Sequence, residues 1–86
     1  MQIRYSRDAI KFLAKQPKCM VDRIRKAISK LKLEPPEGDI SMLKGYTDGR
    51  KRLRVGSFRI IYRNIFSNQV EIILILDIGN RGDIYK

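Results

Sequence analysis

Five cations fall within ten residues of this chain. Arg50, Lys51, Arg52, Arg54 and Arg59 lie inside Gly49–Tyr62, GRKRLRVGSFRIIY. No acid stands between Asp48 and Glu71. Nothing in the stretch pairs these charges, so a surface carrying them repels itself until a polyanion supplies counter-charge. Arginine suits phosphate in particular, because its planar fork holds two oxygens at once. The chain has no histidine and a single cysteine, Cys19. A histidine general base, a Ser-His-Asp triad, a Cys-His pair and a Cys/His zinc site are thereby excluded. Any catalysis must draw on Lys, Arg, Tyr, Asp or Glu, and no metal or cofactor is expected.

The elements around the stretch decide where these cations point. Gln2–Tyr5 reads as a short first strand. Ser6 is a good N-cap, and Asp8 suits the positive end of a helix running from about Arg7 to Gln16. Pro17 interrupts that helix and opens a second one at Pro17 or Lys18. In the second helix Met20, Val21, Ile24, Ala27, Ile28 and Leu31 follow the i, i+3, i+4, i+7 pattern of a core-facing stripe. Arg23, Arg25, Lys26, Lys30 and Lys32 occupy the rest of its circumference. They read first as a solvated basic face and second as a direct RNA contact. Residues 34–39, EPPEGD, form a loop. Met42 and Leu43 give a short apolar anchor, and Asp48-Gly49 is a turn signal. The remainder reads as an antiparallel meander: Arg50–Val55, a tight turn at Gly56-Ser57, Phe58–Phe66, a turn at Ser67-Asn68, and the apolar run Val70–Ile78. Residues 81–86 are a candidate short edge strand. The predicted fold is α+β, order βααβββ, with two N-terminal helices packed on one face of a small antiparallel sheet.

Strand alternation then sorts the cations. Leu53 and Val55 must face the helices with Lys51, so Arg50, Arg52 and Arg54 share the outward face at intervals of about 7 Å. Arg59 and Arg63 have matching parity on the next strand. Protection of an exposed sheet against edge pairing accounts for one or two such cations, not five.

At 86 residues, with a net charge of +10 and 43% hydrophobic residues, the chain reads as one domain, 1–86, folded rather than disordered and basic enough to seek an anionic partner. No segment is long and apolar enough to span a membrane. The start, MQIRYS, lacks the apolar core of a signal peptide, and the lone cysteine fits a reducing cytoplasm.

Three ordered strings carry a resemblance: Leu43-Lys44-Gly45, then Arg52-Leu53-Arg54-Val55-Gly56-Ser57-Phe58-Arg59-Ile60-Ile61-Tyr62, then Ile78-Gly79-Asn80-Arg81-Gly82-Asp83-Ile84-Tyr85. Together with size and element order they resemble the RelE/ParE toxin superfamily. The resemblance implies a toxin of a type II toxin–antitoxin system, of the RelE-type mRNA interferase kind. Such a toxin is a ribosome-dependent endoribonuclease that cuts mRNA in the decoding site by attack of the neighbouring 2′-hydroxyl, without a metal. It also implies an acidic, RelB-like antitoxin that wraps the toxin. The residues carried over as catalytic are Arg52, Arg59, Arg81 and Tyr85. Arg50, Lys51, Arg54, Arg63 and Lys44 are RNA-binding candidates. For Tyr85 the plain alternative is a packed C-terminal aromatic, and for Arg81 a salt bridge to Asp77 or Asp83. The set binds phosphate well but names no proton acceptor, since arginine is a poor base and Asn80 stands where many relatives carry histidine. The alternatives are a ParE-like inhibitor of DNA gyrase that binds protein and cleaves nothing, and a non-catalytic RNA-binding module.

Overall fold

Ser6 ties the start of the first helix to the middle of the sheet. The computed structural model describes residues 2–45 and 47–80. In it the Ser6 hydroxyl accepts from the Ala9 backbone N–H at 3.1 Å and donates to the Leu76 carbonyl at 2.7 Å. The elements run β1 (Gln2–Tyr5), α1 (Arg7–Ala14), α2 (Lys18–Ser29), a 3₁₀ turn (Lys30–Lys32), β2 (Asp39–Met42), β3 (Lys51–Val55), β4 (Phe58–Ser67) and β5 (Val70–Asn80). Pro17 separates the helices as expected and sits at the N-cap of α2.

The helix pair and the β3–β4–β5 meander match the expected α+β order. Two features of the sheet differ from the antiparallel reading. The strand order is β1-β5-β4-β3-β2, and β1 runs parallel to β5, so the sheet is mixed. The reason is the αα crossover, which returns the chain to the far edge and leaves β1 beside β5 with the same sense. Asp39–Met42, expected as the end of a loop followed by an apolar anchor, is an edge strand paired antiparallel with β3. Its alternation explains it: Ile40 turns inward against the core, whereas Met42, at the rim, is 61% exposed and anchors nothing. The proposed edge strand at 81–86 lies outside the described residues.

Both hairpin turns have the chemistry their length requires. Gly56 (φ +58°) opens the two-residue β3–β4 loop, and Asn68 and Gln69 both take positive φ between β4 and β5. On the helix side of the sheet, Leu53, Val55, Phe58, Ile60, Tyr62, Ile73, Ile75 and Ile78 pack with Ala9, Ile24, Ile28 and Leu31 into one core. Phe12 and Phe58 meet edge to face at 5.9 Å. The β4–β5 register shifts between Ile61 and Tyr62, so that Asp77 lies opposite Ile61 and Ile75 opposite Tyr62. Leu76 is thereby the extra residue, and its carbonyl receives the Ser6 hydroxyl. The bulge has a second effect. It keeps Ile75 and Ile78 on the core side and turns Asp77 to the outward face.

Candidate nucleic-acid interface

Directly opposed residues of neighbouring strands share a face, so the register assembles the outward surface in rows across the sheet. One row reads Asp39, Arg54, Arg59, Gly79. The next reads Ser41, Arg52, Ile61, Asp77. A third joins Arg63 to Leu74 and Arg4. Arg52, Arg54, Arg59 and Arg63 are therefore brought to one surface, as strand parity requires, with Arg50 preceding β3 on the same side. Arg54 and Arg59 stand directly opposite each other, an arrangement that like charges disfavour.

This face is not a bare cationic wall. Asp48 receives the Arg50 Nε–H at 2.9 Å and lies 3.4 Å from Arg63 Nη1. Arg54 Nε is 3.9 Å from the Asp39 carboxylate. Arg52 Nη2 donates to Ser41 Oγ at 2.7 Å. The hydrogen bond from Arg50, with the charges of Arg50 and Arg63, holds the Asp48 carboxyl below its ordinary range despite some opposing desolvation. The expectation of a stretch without counter-charges is corrected accordingly: the acids come from segments upstream, folded alongside it. These contacts fix the guanidinium groups, and holding an anion-binding fork in place before the anion arrives lowers the entropy cost of binding. Arg59 is only 8% exposed. Nε of Arg54 and Nε of Arg63 are buried and make no hydrogen bond.

The remaining candidates fall elsewhere. Lys51 points to the helix side, where it lines a cavity of about 210 Å³ with Leu31, Leu33, Glu34, Tyr62, Asn64 and Glu71. The structure thus separates it from the arginines. Burial raises the Tyr62 hydroxyl above its ordinary value there. Lys44 sits in the exposed turn after β2. Arg81 and Tyr85 lie outside the described residues. Sequence reasoning passed over three functional neighbours of the arginines, Asp39, Ser41 and Asp48. The signal for the first two was present: D-I-S-M alternates polar and apolar over four residues, the period of a half-buried strand. It also passed over Asp77 as part of this surface, an exposed carboxylate on the outward face that makes no ion pair among the described residues.

A family model described as the ParE toxin of type II toxin–antitoxin systems, parDE, matches residues 3–85. The chain belongs to that family. Solved structures agree. An archaeal RelE–RelB complex from Pyrococcus horikoshii is 28% identical and superposes with a TM-score of 0.73 over 95% of this chain and 96% of that one. The RelB–RelE antitoxin–toxin complex from Methanococcus jannaschii, 24% identical, gives 0.70 over 95% and 94%. The YoeB/ParE toxin from Agrobacterium tumefaciens, 21% identical, shares the fold at 0.74 over 93% and 98%. No curated protein sequence matches significantly. The chain is a type II toxin–antitoxin toxin of the RelE/ParE superfamily. No helix of the toxin, among its described residues, is long and apolar enough to cross a membrane.

Proposed function

We propose that this toxin is a ribosome-dependent endoribonuclease, acting as one domain over residues 1–86, that cleaves mRNA in the A site and so inhibits translation. The observation that carries this reading is the opposed Arg54–Arg59 pair within a row of tethered, partly buried arginines. Two like charges held face to face and recessed from solvent are costly in isolation and favourable around a doubly coordinated phosphate. In this reading Arg59 and Arg52 stabilise charge on the scissile phosphate, with Arg81 and Tyr85 completing the site. Arg50, Arg54 and Arg63 hold the flanking backbone. The 2′-oxygen attacks phosphorus, the 5′-oxygen leaves, and a 2′,3′-cyclic phosphate remains. Asp77, outward-facing and without an ion pair among the described residues, is the carboxylate best placed to take the 2′-hydroxyl proton, while the leaving 5′-oxygen takes a proton from water. Lys51, on the other face, has no part in it. A RelB-type acidic antitoxin is the proposed partner, in keeping with the complexes that the archaeal relatives form, and the cytoplasm is the proposed compartment.

Primer extension on translated messages after induction tests the reading. Cuts phased to codons and dependent on active ribosomes are the expected result. Intact messages with arrested DNA replication would instead establish the second reading, a gyrase inhibitor, which the ParE family model favours.

A further inference from the structure

Among the described residues four large hydrophobic side chains are exposed: Ile10, Leu33, Met42 and Phe66. Three of them gather round one hollow. Leu33 lines the cavity on the helix side of the sheet. Met42 is the cross-strand partner of Lys51, and Phe66, 76% exposed, is the partner of Glu71. Lys51 and Glu71 both line that cavity. Directly opposed residues share a face, so Met42 and Phe66 stand at two of its margins. Single exposed hydrophobics need no explanation, whereas a set that rims one hollow marks a contact surface.

The hollow inside this rim is polar and unsatisfied. Tyr62 lines it while only 2% exposed, and its hydroxyl makes no hydrogen bond among the described residues. Glu34 and Glu71 line it too and enter no ion pair among the described residues. The Asn64 amide N–H donates to Glu71 at 2.8 Å, which leaves the Asn64 side-chain carbonyl free to accept. Lys51 is the one cation on the described lining. The loop beside it, residues 34–39, holds three acids and no cation. In a chain of net charge +10, acids outnumber bases here, and charge complementarity selects a cation. At about 210 Å³ the hollow is smaller than the roughly 300–1,000 Å³ of small-molecule sites, a size that suits one long side chain. Two carboxylates, a phenolic oxygen and an amide carbonyl suit the five donors of a guanidinium better than the three of an ammonium. Phe66 adds an aromatic face on which a guanidinium stacks. We propose that this cavity and its rim are a docking site for a protein segment that inserts an arginine side chain toward Glu34 and Glu71 and lays apolar residues on Leu33, Met42 and Phe66. The site lies on the opposite side of the sheet from the outward arginines and selects the opposite charge. It therefore takes a partner other than the phosphate or the acidic segment that those arginines suit.

The test titrates the full-length, isotope-labelled toxin with the peptide N-acetyl-Leu-Arg-Leu-amide, with the Asn64 side-chain amide and the Met42 methyl as NMR reporters. Saturable shifts at both are expected. The same peptide with citrulline, an uncharged isostere, in place of arginine should bind about tenfold more weakly. Glu71→Gln, which keeps an acceptor for Asn64, should weaken binding of the arginine peptide by a similar factor. Lys51→Gln should strengthen it about two- to fivefold, because it removes a like charge from the lining. Phe66→Ser, at an exposed position, should also weaken it and gives a second reading should Glu71→Gln melt early. Equal affinity for the citrulline peptide, weaker binding in Lys51→Gln, or tighter binding of the corresponding Leu-Glu-Leu peptide overturns the proposal. So does an absence of shifts at millimolar peptide, or a set of shifts confined to the groove at Ile10 and Leu13. None of these readouts depends on whether the toxin cuts messages, so the ribonuclease reading and this one stand or fall separately.

Discussion

The outward sheet face and the helix layer are both basic, and they are built on opposite principles. On the sheet, the outward cations of β3 and β4 are all arginine, recessed, and set among Asp39, Ser41 and Asp48. On the helices six of the nine cations are lysine, all are exposed, and none has an acidic partner among the described residues. The contrast separates two quantities that composition merges. Net charge belongs to the helices and governs long-range attraction, which is screened over about 10 Å at ordinary salt. Positioned charge belongs to the sheet and governs what happens to one phosphate. A surface that must orient an anion needs its own acids to hold the guanidinium groups still, and it gives up net charge to have them.

The contrast fails most visibly if a positioned charge can be removed without consequence. Arg59→Ala should reduce ribosome-dependent cleavage on the order of 10²- to 10³-fold, the range for removing one preorganised donor to a charged transition state. Its circular dichroism should remain that of the folded protein. Full activity would place the chemistry elsewhere. Asp77→Asn should slow the same reaction with substrate affinity retained, a fall in rate without a rise in KM.

The helix layer divides along its own axis. Ile28 is fully buried against the sheet, and Ile28→Ala should cost about 2–5 kcal/mol in denaturant unfolding. Lys26→Gln, on the outer arc of the same helix, should stay within about 0.5 kcal/mol of wild type. A large destabilisation at Lys26 would mean that the outer arc serves the fold after all.

A cation also joins the layers at the far end of the first hairpin. Arg23 of α2 reaches the β3–β4 turn, where a methyl at Gly56 would lie 3.1 Å from its Nη2. The backbone there has φ +58°. Gly56→Ala should therefore cost about 1–2 kcal/mol from the left-handed conformation, with the flexible end of Arg23 moving aside. A double variant that also carries Arg23→Ala should recover little, since the strain is in the backbone.

These contrasts also show what the sequence could reveal. The α2 stripe and the 52–55 alternation specified the core face and the outward arginines, because each pattern repeats within one element. Asp39 stayed hidden because its role depends on pairing between elements: β2 must fold back on β3 before it meets Arg54, whereas Asp48 lies two residues from Arg50 and only its second partner, Arg63, comes from another strand. Asp77 was hidden by the bulge at Leu76. Strict alternation through ILILDI puts residue 77 on the same side as Ile73 and Ile75, and only the extra residue turns it outward. The split of net charge between layers was countable from the start, yet it acquires meaning only once the helices and the sheet are seen as opposite surfaces.

The gentlest probe is Asp48, the acid shared by Arg50 and Arg63. Its folded-state carboxyl lies below the ordinary value of 3.8, so the folded protein favours the ionised form. Whatever stability it contributes is fully present above about pH 4 and is lost as pH falls through the lowered value. Wild type should therefore exceed Asp48→Asn slightly in unfolding midpoint at neutral pH, and the two should converge only in strong acid. The variant should keep its fold while Arg50 and Arg63 lose their shared anchor, so a flanking-strand RNA should bind with a larger entropic penalty on calorimetry. Equal binding entropies in the two proteins would show that the acids on this face merely balance charge, and the distinction between positioned and diffuse cations would then rest on burial alone.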